Sequence, residues 1–236
     1  MNSVDAIRLH SVRFHWNQQR PILDIPELIV AAGEQVFVKG PSGSGKTTLL
    51  NVVGGILSPQ AGEVSVLGQN LCTMSGAQRD RVRADHIGFI FQMFNLIPYL
   101  SVLENVVLPC HFSKARAGRV AAAGATPQQA AQRLLEHLDL AASLLRVPVT
   151  ELSVGQQQRV AVARALIGSP ELVIADEPTS ALDADRRQAF LSLLLQECQR
   201  CNTTLLFVSH DDALESSFQR SIHLQDINLA MQGEPA

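Results

Sequence analysis

A glycine-rich segment of the chain could hold a phosphate group. Residues 40–47 read Gly-Pro-Ser-Gly-Ser-Gly-Lys-Thr and fit the pattern G-x-x-x-x-G-K-[ST] at every position. Glycines let the backbone wrap closely around an anion, and a helix beginning here would add the favourable dipole of its N-terminus. A flexible glycine-serine loop is the alternative, and the correctly placed lysine and threonine argue against it. The residues predicted to bind phosphate are Gly40, Ser42, Gly43, Ser44, Gly45, Lys46, Thr47 and Thr48.

Three side chains of this segment have separate expected roles. Lys46 is expected to bridge the β- and γ-phosphates, and Thr48 to reach the α-phosphate. The Thr47 hydroxyl is expected to bind Mg²⁺. The segment alone does not separate an ATPase from a kinase or a GTPase, so further residues must decide the reaction.

Two acidic residues follow an apolar run. Residues 172–175 are Leu-Val-Ile-Ala, and Asp176 and Glu177 come next. A buried strand that ends here would present both acids at the carboxyl edge of a sheet, where open α/β folds bind ligands. Asp176 is then expected to hold Mg²⁺, and Glu177 to orient and deprotonate an attacking water. The alternative, a solvated strand end, is less expected after four apolar residues.

Composition excludes several classes of protein. Of the 236 residues, 46% are hydrophobic and 17% are charged, which is typical of a globular chain and not of a disordered one. The formal charge of −3 gives no whole-chain basic excess that would indicate nucleic acid. No apolar run approaches the roughly 20 residues of a membrane span. The first residues have no basic and apolar signal pattern, so we expect the protein to be cytoplasmic.

The four cysteines are Cys72, Cys110, Cys198 and Cys201. Such sparse use in a cytoplasmic chain predicts free thiols. Cys198 and Cys201 form one C-x-x-C, which could indicate a metal or redox site. We favour two thiols near a helix end, because no second pair completes a zinc site.

The elements that must position these residues alternate between strand and helix. Strands are predicted over residues 6–14, 28–30, 35–39, 63–67, 87–91, 172–175 and 203–208, and helices over 46–57 and 183–200. Breaks are predicted at Ile25-Pro26 and Ala32-Gly33. Residues 93–158 are predicted to be mainly helical, with capping boxes at Ser101 and Thr126. Within them, residues 114–125 are expected to form a solvated linker or frayed helix end.

The segment Leu152-Ser153-Val154-Gly155-Gln156 adds a decisive motif. Together with the glycine-rich loop, Asp176-Glu177, residues 180–183 (Ser-Ala-Leu-Asp) and His210, it resembles the ATP-binding cassette (ABC) family, in the family's order and over nearly the whole chain. The resemblance implies an α/β fold: a P-loop NTPase (RecA-like) core with an N-terminal antiparallel β subdomain and an inserted α-helical subdomain. Residues 1–236 would form one nucleotide-binding domain, with 1–92 and 159–230 as β subdomain plus core and 93–158 as the helical part.

The resemblance also implies roles for matched positions. Gln92 is similar to the glutamine that senses Mg²⁺ and the γ-phosphate, and His210 to the histidine that contacts the γ-phosphate. Trp16 falls where the family places an aromatic on adenine, although a lone tryptophan is more often core. Asp183 resembles the aspartate that joins two protomers. The predicted catalytic residues are thus Glu177, His210, Gln92 and Lys46, and the predicted metal ligands are Thr47, Gln92 and Asp176.

In the family, the surface that contains Ser153, Gly155 and Gln156 binds the ATP of the opposite protomer, so the resemblance implies a homodimer with C2 symmetry on ATP binding. Ser153 can cap a helix whose N-terminus faces the anion. Val154 departs from the family, which commonly has glycine there. Valine disfavours positive φ, and the site would be weakened if that geometry were needed. With Ser153 and Gly155 intact, we expect hydrolysis to be retained.

The process that ATP hydrolysis would drive is implied by the resemblance alone. It implies a motor subunit, peripheral on the cytoplasmic face of the inner (plasma) membrane, that powers a separate transmembrane permease. The apolar stretch 93–100, from Met93 to Leu100, sits where the family receives that partner, with Phe94, Leu96 and Tyr99 as expected contacts. Core packing is the alternative for this stretch. The resemblance is strongest to the macrolide-export and lipoprotein-releasing branch.

Two other functions are alternatives to transport. A DNA-acting ABC ATPase would be split by long coiled coils or built as tandem cassettes, and the chain has no sustained heptads and no positive charge excess. A nucleotide-gated scaffold would be expected to lack Glu177 or His210, and both are present. The sequence does not specify the substrate, the membrane partner or the direction of transport.

Overall fold

The computed structural model describes residues 5–17, 20–180 and 182–231. Ala181, which belongs to the motif at residues 180–183, lies outside the described residues. The chain divides into two units, one formed by residues before Ala84 and after Thr203, the other by Ala84–Thr203. Segment 93–158 falls wholly in the second unit; its assignment as a separate helical subdomain stays a prediction.

In chain order the strands and helices are β1 (Asp5–Phe14), β2 (Leu23–Ala31), β3 (Gln35–Lys39), α1 (Lys46–Val53), β4 (Ala61–Val66), β5 (Gln69–Asn70), α2 (Gly76–His86), β6 (Ile87–Ile90), α3 (Val102–Phe112), α4 (Lys114–Ala122), α5 (Pro127–His137), α6 (Val154–Leu166), β7 (Leu172–Asp176), α7 (Ala184–Arg200), β8 (Thr204–Ser209), β9 (Arg220–His223) and α8 (Leu224–Ile227). Among the described residues, no helix is both long and apolar enough to cross a membrane.

The first unit contains an antiparallel sheet in the order β2-β1-β4-β5. Pro26 lies inside β2, between Ile25 and Glu27, which are in register with residues 12 and 10 of β1. The predicted break at Ile25-Pro26 is therefore wrong. An edge strand has one unpaired side, so the missing N–H of proline can be tolerated there.

Parallel strands of the same unit carry the glycine-rich loop. β3 pairs with β8 and with β9, and its central residues 36–38 are fully buried. Phe37 packs against Phe207 and Phe218, with ring centroids 6.0 and 5.2 Å apart. The apolar run of β3 ends at Lys39, so this core fixes the point at which residue 40 leaves the sheet.

The second unit pairs β6 with β7 in parallel, and α6 packs against β6. Gly88 of β6 allows α6 to approach closely, since a Cβ there would lie 2.3 Å from the carbonyl oxygen of Ala165. The capping boxes predicted at Ser101 and Thr126 are both present, at the starts of α3 and α5. The chain therefore enters these helices where local sequence directs it.

Helix α4 corrects the expectation of a solvated linker over residues 114–125. Arg116 on this helix is only 2% exposed, and burial lowers its pKa to about 10. The helix is ordered because this guanidinium ties it to four backbone groups. Its nitrogens donate to the carbonyl oxygens of Ala84, Ile87, Ala165 and Ile167 at 2.7–3.1 Å.

The C-x-x-C pair lies at the end of α7, as predicted for two helix-end thiols. Cys198 is buried inside the helix, Cys201 is its C-cap, and all four cysteines are free. Burial raises the pKa of the Cys198 thiol far above its usual range. This thiol is therefore protonated and unreactive at neutral pH.

Candidate functional site

The glycine-rich loop of the first unit has the backbone shape that an anion cradle needs. Gly43 and Gly45 have φ angles of 79° and 97°, which residues with a Cβ rarely adopt, and Gly45 is the N-cap of α1. Nothing lies within 4 Å of where a Cβ on Gly43 would be, so this part of the loop faces open space. Lys46 Nζ donates to the carbonyl oxygens of Gly40 (2.7 Å) and Pro41 (3.0 Å). Its charge is therefore held at the loop.

The Ser44 hydroxyl tests whether the loop fits a phosphate. Ser44 is 5% exposed, and its Oγ has no hydrogen-bond partner among the described residues. A Cβ on Gly40 would lie 2.7 Å from this oxygen, so only glycine leaves room beside it. Buried hydroxyls are normally paired, and a phosphate oxygen would supply the missing acceptor. The loop therefore fits the triphosphate predicted for it. Of the two threonines that follow Lys46, Thr47 is exposed and Thr48 is buried.

His210 lies beside the start of this loop. It follows β8 directly, is exposed, and lines a cavity of about 200 Å³ together with Gly40 and Pro41. Lys39 and His223 line the same cavity. The first unit thus brings together two of the predicted elements, the glycine-rich loop and the histidine.

Lys39 holds the segment that follows His210. Its Nζ lies 2.9 Å from Asp212 Oδ1 and 3.5 Å from Glu215 Oε2, and the hydrogen bond to Asp212 is the main cause that raises the pKa of Lys39. The pKa of Glu215 is lowered, chiefly by a hydrogen bond to Ser221. Sequence analysis missed Lys39. Its position, just before the loop motif, was the only available signal.

Trp16 is 66% exposed, and its ring packs edge-on against Phe14, with centroids 5.0 Å apart. Phe14 is 4% exposed and belongs to the core. Trp16 is therefore available to a ligand, and its role on adenine stays a prediction.

In the second unit, three predicted residues lie at one edge of a strand pair. β7 buries residues 172–175 and ends at Asp176, with Glu177 next. β6 runs parallel to it, with Ile90 in register with Ala175, so Gln92 follows the same carboxyl edge. Glu177 has a φ of 47°, an uncommon angle for a residue with a Cβ. Backbone strain of this kind is characteristic of functional positions.

The loop after Gln92 corrects one expected partner contact. Phe94 is only 7% exposed, whereas Met93 and Tyr99 are 80% and 81% exposed. Phe94 has a left-handed backbone, φ 58°, which turns its side chain inward. Phe112, at the end of α3, is a further exposed aromatic residue of this unit at 74%.

The Ser153 motif forms the N-terminus of α6. Ser153 Oγ accepts from the Gln156 N–H (3.3 Å), and Gln156 Oε1 accepts from the Ser153 N–H (2.9 Å). A Cβ on Gly155 would meet nothing within 4 Å, so the helix end is open. It borders a cavity of about 280 Å³. The capping predicted for Ser153 is confirmed, and the helix N-terminus can receive an anion.

Two arginines near this cavity were assigned no role from the sequence, although Arg159 closely follows the Ser153 motif. Arg159 lies three residues after Gln156 on α6, and Arg186 lies three residues after Asp183, so helical spacing was the signal for both. Asp183 is the N-cap of α7: its Oδ1 accepts from the Arg186 N–H at 3.0 Å. Both arginines line the cavity, and the Arg186 guanidinium also pairs with the Asp183 carboxylate, with Nε 3.2 Å from Oδ2.

Val154 is the first residue of α6 and does not have a positive φ. The family's usual glycine is therefore not required for backbone geometry here. The valine side chain is 48% exposed.

Comparisons with known proteins agree with this arrangement. The model of the ABC transporter family matches residues 23–180. The chain is 38% identical to the lipoprotein-releasing system ATP-binding protein LolD of Bacteroides fragilis, over 86% of this chain and 90% of that protein. It is 40% identical to the macrolide export ATP-binding/permease protein MacB of Escherichia coli over 89% of this chain, which spans only 31% of MacB.

A solved structure shows the same fold. The dimeric, post-hydrolysis ATP-binding cassette MJ0796, bound to ADP and phosphate, has a TM-score of 0.80 and 34% identity, covering 93% of this chain and 94% of its own. The predicted fold class is confirmed by this likeness. The chain belongs to the ABC transporter family, as an ATP-binding and ATP-hydrolysing subunit.

Proposed function

We propose that two copies of this chain hold two ATP molecules between them, and that hydrolysis drives a separate membrane subunit of export or mechanotransmission type. One observation carries the proposal: each copy contains two anion-binding surfaces of different construction. One is the glycine-rich loop with the unpartnered Ser44 hydroxyl, and the other is the open, capped N-terminus of α6. Two complementary surfaces on one chain suit an isologous dimer.

The reaction needs little covalent chemistry from the protein. Lys46 and the loop N–H groups neutralise and orient the phosphates, and Ser44 Oγ donates the hydrogen bond that it lacks within the protein. Glu177 orients the attacking water and takes up its proton, while His210 contacts the γ-phosphate. Ser153, Gly155 and Gln156 of the second copy close the other side. The dipole of their helix and the charge of Arg159 favour the anion there.

Mg²⁺ would be held by oxygen ligands that this chain supplies. The Thr47 hydroxyl, the Gln92 amide oxygen and the Asp176 carboxylate are the hard ligands that this ion prefers. When bound, Mg²⁺ neutralises charge on the phosphate oxygens. Asp176 and Gln92 follow the same edge of the β6–β7 pair, which fits a shared ligand role.

The membrane partner would dock on the loop after Gln92. Met93 and Tyr99 of this loop are large and 80% and 81% exposed, which marks a surface for protein contact. LolD, which matches this chain over 90% of its own length, is named as the ATP-binding protein of a releasing system, so we infer a permease on a separate polypeptide. The chain would then work at the cytoplasmic face of the inner membrane.

Replacement of Glu177 tests the proposal. In Glu177→Gln, ATP still binds and a stable dimer accumulates, because the phosphate contacts remain while the base is lost. Turnover falls by about 100-fold or more. Steady-state phosphate release and size-exclusion chromatography with Mg-ATP measure both effects.

Lys46→Ala is the comparison variant. It weakens nucleotide binding itself, so its dimer does not accumulate at the ATP concentrations that saturate Glu177→Gln. If both variants hydrolyse ATP at the normal rate, the assignment of the site is wrong.

A further inference from the structure

The loop after Gln92 has an uncommon backbone. Phe94 and Asn95 are consecutive residues with positive φ, 58° and 49°, and neither is glycine. Such angles are disfavoured for residues with a Cβ, and two in succession need support from outside the loop. The Phe94 side chain is buried, and the exposed Met93 precedes it. Something must therefore hold this turn in shape.

Arg164 of α6 supplies that support. Its Nη1 donates to the Asn95 carbonyl oxygen and its Nη2 to the Phe94 carbonyl oxygen, both at 2.6 Å. The two terminal nitrogens of one planar guanidinium thus bind consecutive carbonyls, one nitrogen to each, in a fork of fixed geometry. Desolvation by burial lowers the pKa of the Arg164 guanidinium.

The far end of the loop is fixed by a second buried side chain. Asn105 of α3 is fully buried; its Oδ1 accepts from the Ile97 N–H at 2.8 Å. Its Nδ2 donates to the carbonyl oxygens of Ile97, Leu100 and Ser101 at 3.1–3.2 Å. The loop is therefore held at both ends, by α6 on the Gln92 side and by α3 on the other.

Arg164 and the Ser153 motif lie at opposite ends of one helix. Arg164 lies eleven positions after Ser153, which corresponds to about three turns or roughly 16 Å at 1.5 Å per residue. The same helix end is fixed to β6 by Arg116, which binds the carbonyls of Ala165, Ile167 and Ile87. One helix therefore connects the Ser153 motif to the Gln92 loop.

We propose that Arg164 is a positioning residue that couples the Ser153 helix to the Gln92 loop, so that ATP contact at one end sets the position of Gln92 and of the docking residues at the other. The inference rests on the proposed function of these two surfaces. It goes beyond that function by assigning the connection between them to one side chain.

Hydrogen exchange on the isolated chain tests the contact directly. In Arg164→Met, the amide of Phe94, which is hydrogen-bonded to the Phe91 carbonyl, exchanges at least about 10-fold faster than in the parent, since the turn loses the bonds from a charged donor. The amide of Ile97, which Asn105 holds, changes less. Arg164→Lys, which keeps the charge but not the fork, shows a smaller increase. It also serves as the folded variant if the methionine variant is unstable.

ATPase kinetics separate positioning from general stability. In Arg164→Met, kcat falls by about 10-fold, because Gln92 is displaced, while KM for ATP stays within about 2-fold, because the phosphate loop is untouched. Arg164→Lys recovers part of kcat. Arg119→Met is the matched control: Arg119 also donates to two backbone carbonyls, those of Gly168 and Asp85, but not to the loop. It leaves loop exchange and kcat unchanged.

Two results would overturn the proposal. The first is parent-like exchange at residues 93–101 in Arg164→Met. The second is an equal fall of kcat in Arg119→Met. A parent protein without any Mg-ATPase activity would instead refute the proposed function, and the exchange comparison would still decide the role of Arg164.

Discussion

At the scale of single residues, Ser44 gives the sharpest test of the phosphate site. Its buried, unpartnered hydroxyl costs free energy in the protein without nucleotide and is useful only when an acceptor arrives. Ser44→Ala should therefore raise the free energy of unfolding of the nucleotide-free chain by about 1 kcal/mol. The same change should weaken ATP binding by about 10-fold, since a bond to a charged phosphate is lost.

Thermal unfolding with and without Mg-ATP measures both effects of Ser44→Ala. Ser42→Ala, at an exposed position of the same loop, is the control and should not stabilise the nucleotide-free protein. A Ser44→Ala protein that is less stable without ATP would mean that the hydroxyl already has a structural partner.

The second prediction for a single residue concerns the replacement of Val154 by glycine. Because it begins α6 without a positive φ, glycine brings no geometric gain. Val154→Gly should leave kcat within about 2-fold of the parent and cost at most about 1 kcal/mol of stability, through the flexibility of glycine. Steady-state ATPase assays of both proteins with the membrane partner check this. An inactive parent that glycine restores would contradict it.

The predictability of single residues depends on whether their signal is local. Lys46, Asp176 and Glu177 could be named because motif and strand pattern place them. Arg116 and Arg164 could not, since both act through carbonyls far away in sequence, and an arginine within a helix has no distinguishing pattern. Phe94 was assigned to the surface because its left-handed backbone has no sequence signal.

At the scale of elements, two capping boxes with the same chemistry allow a matched comparison. Ser153 caps α6 at the proposed ATP surface, and Thr126 caps α5 with the same pair of bonds. Ser153→Ala and Thr126→Ala should each lower the free energy of unfolding by about 1 kcal/mol. Only Ser153→Ala should also reduce turnover and ATP-dependent dimerisation. Equal ATPase losses in the two variants would mean that Ser153 matters only for stability.

Elements with local start and stop signals were predictable, and those that depend on tertiary contacts were not. The caps of α3, α5 and α6 are visible in the sequence as S/T-x-x-E/Q. β2 passes through Pro26 because it is an edge strand, and α4 is ordered because Arg116 is buried, and neither cause is local. α2 and β9 were not predicted: α2 is strongly polar, and β9 has only four residues.

At the scale of the whole molecule, the proposed ATP site needs a second copy of the chain. A glycine-rich loop and a capped helix N-terminus can both hold anions, and in the proposed function one phosphate chain meets both kinds of surface. The family's dimeric relative bound to ADP and phosphate is consistent with such an assembly. Sequence motifs predicted both surfaces, and the family resemblance alone supplied the idea that they belong to different copies.

The most direct measurement is a structure of the Glu177→Gln protein with Mg-ATP. Each nucleotide is expected to lie between the loop around Lys46 of one copy and the Ser153–Gly155 edge of the other, with the Ser44 hydroxyl within hydrogen-bond distance of a phosphate oxygen. Nucleotide bound only at the glycine-rich loop, with the Ser153 edge of every copy facing solvent, would contradict the account.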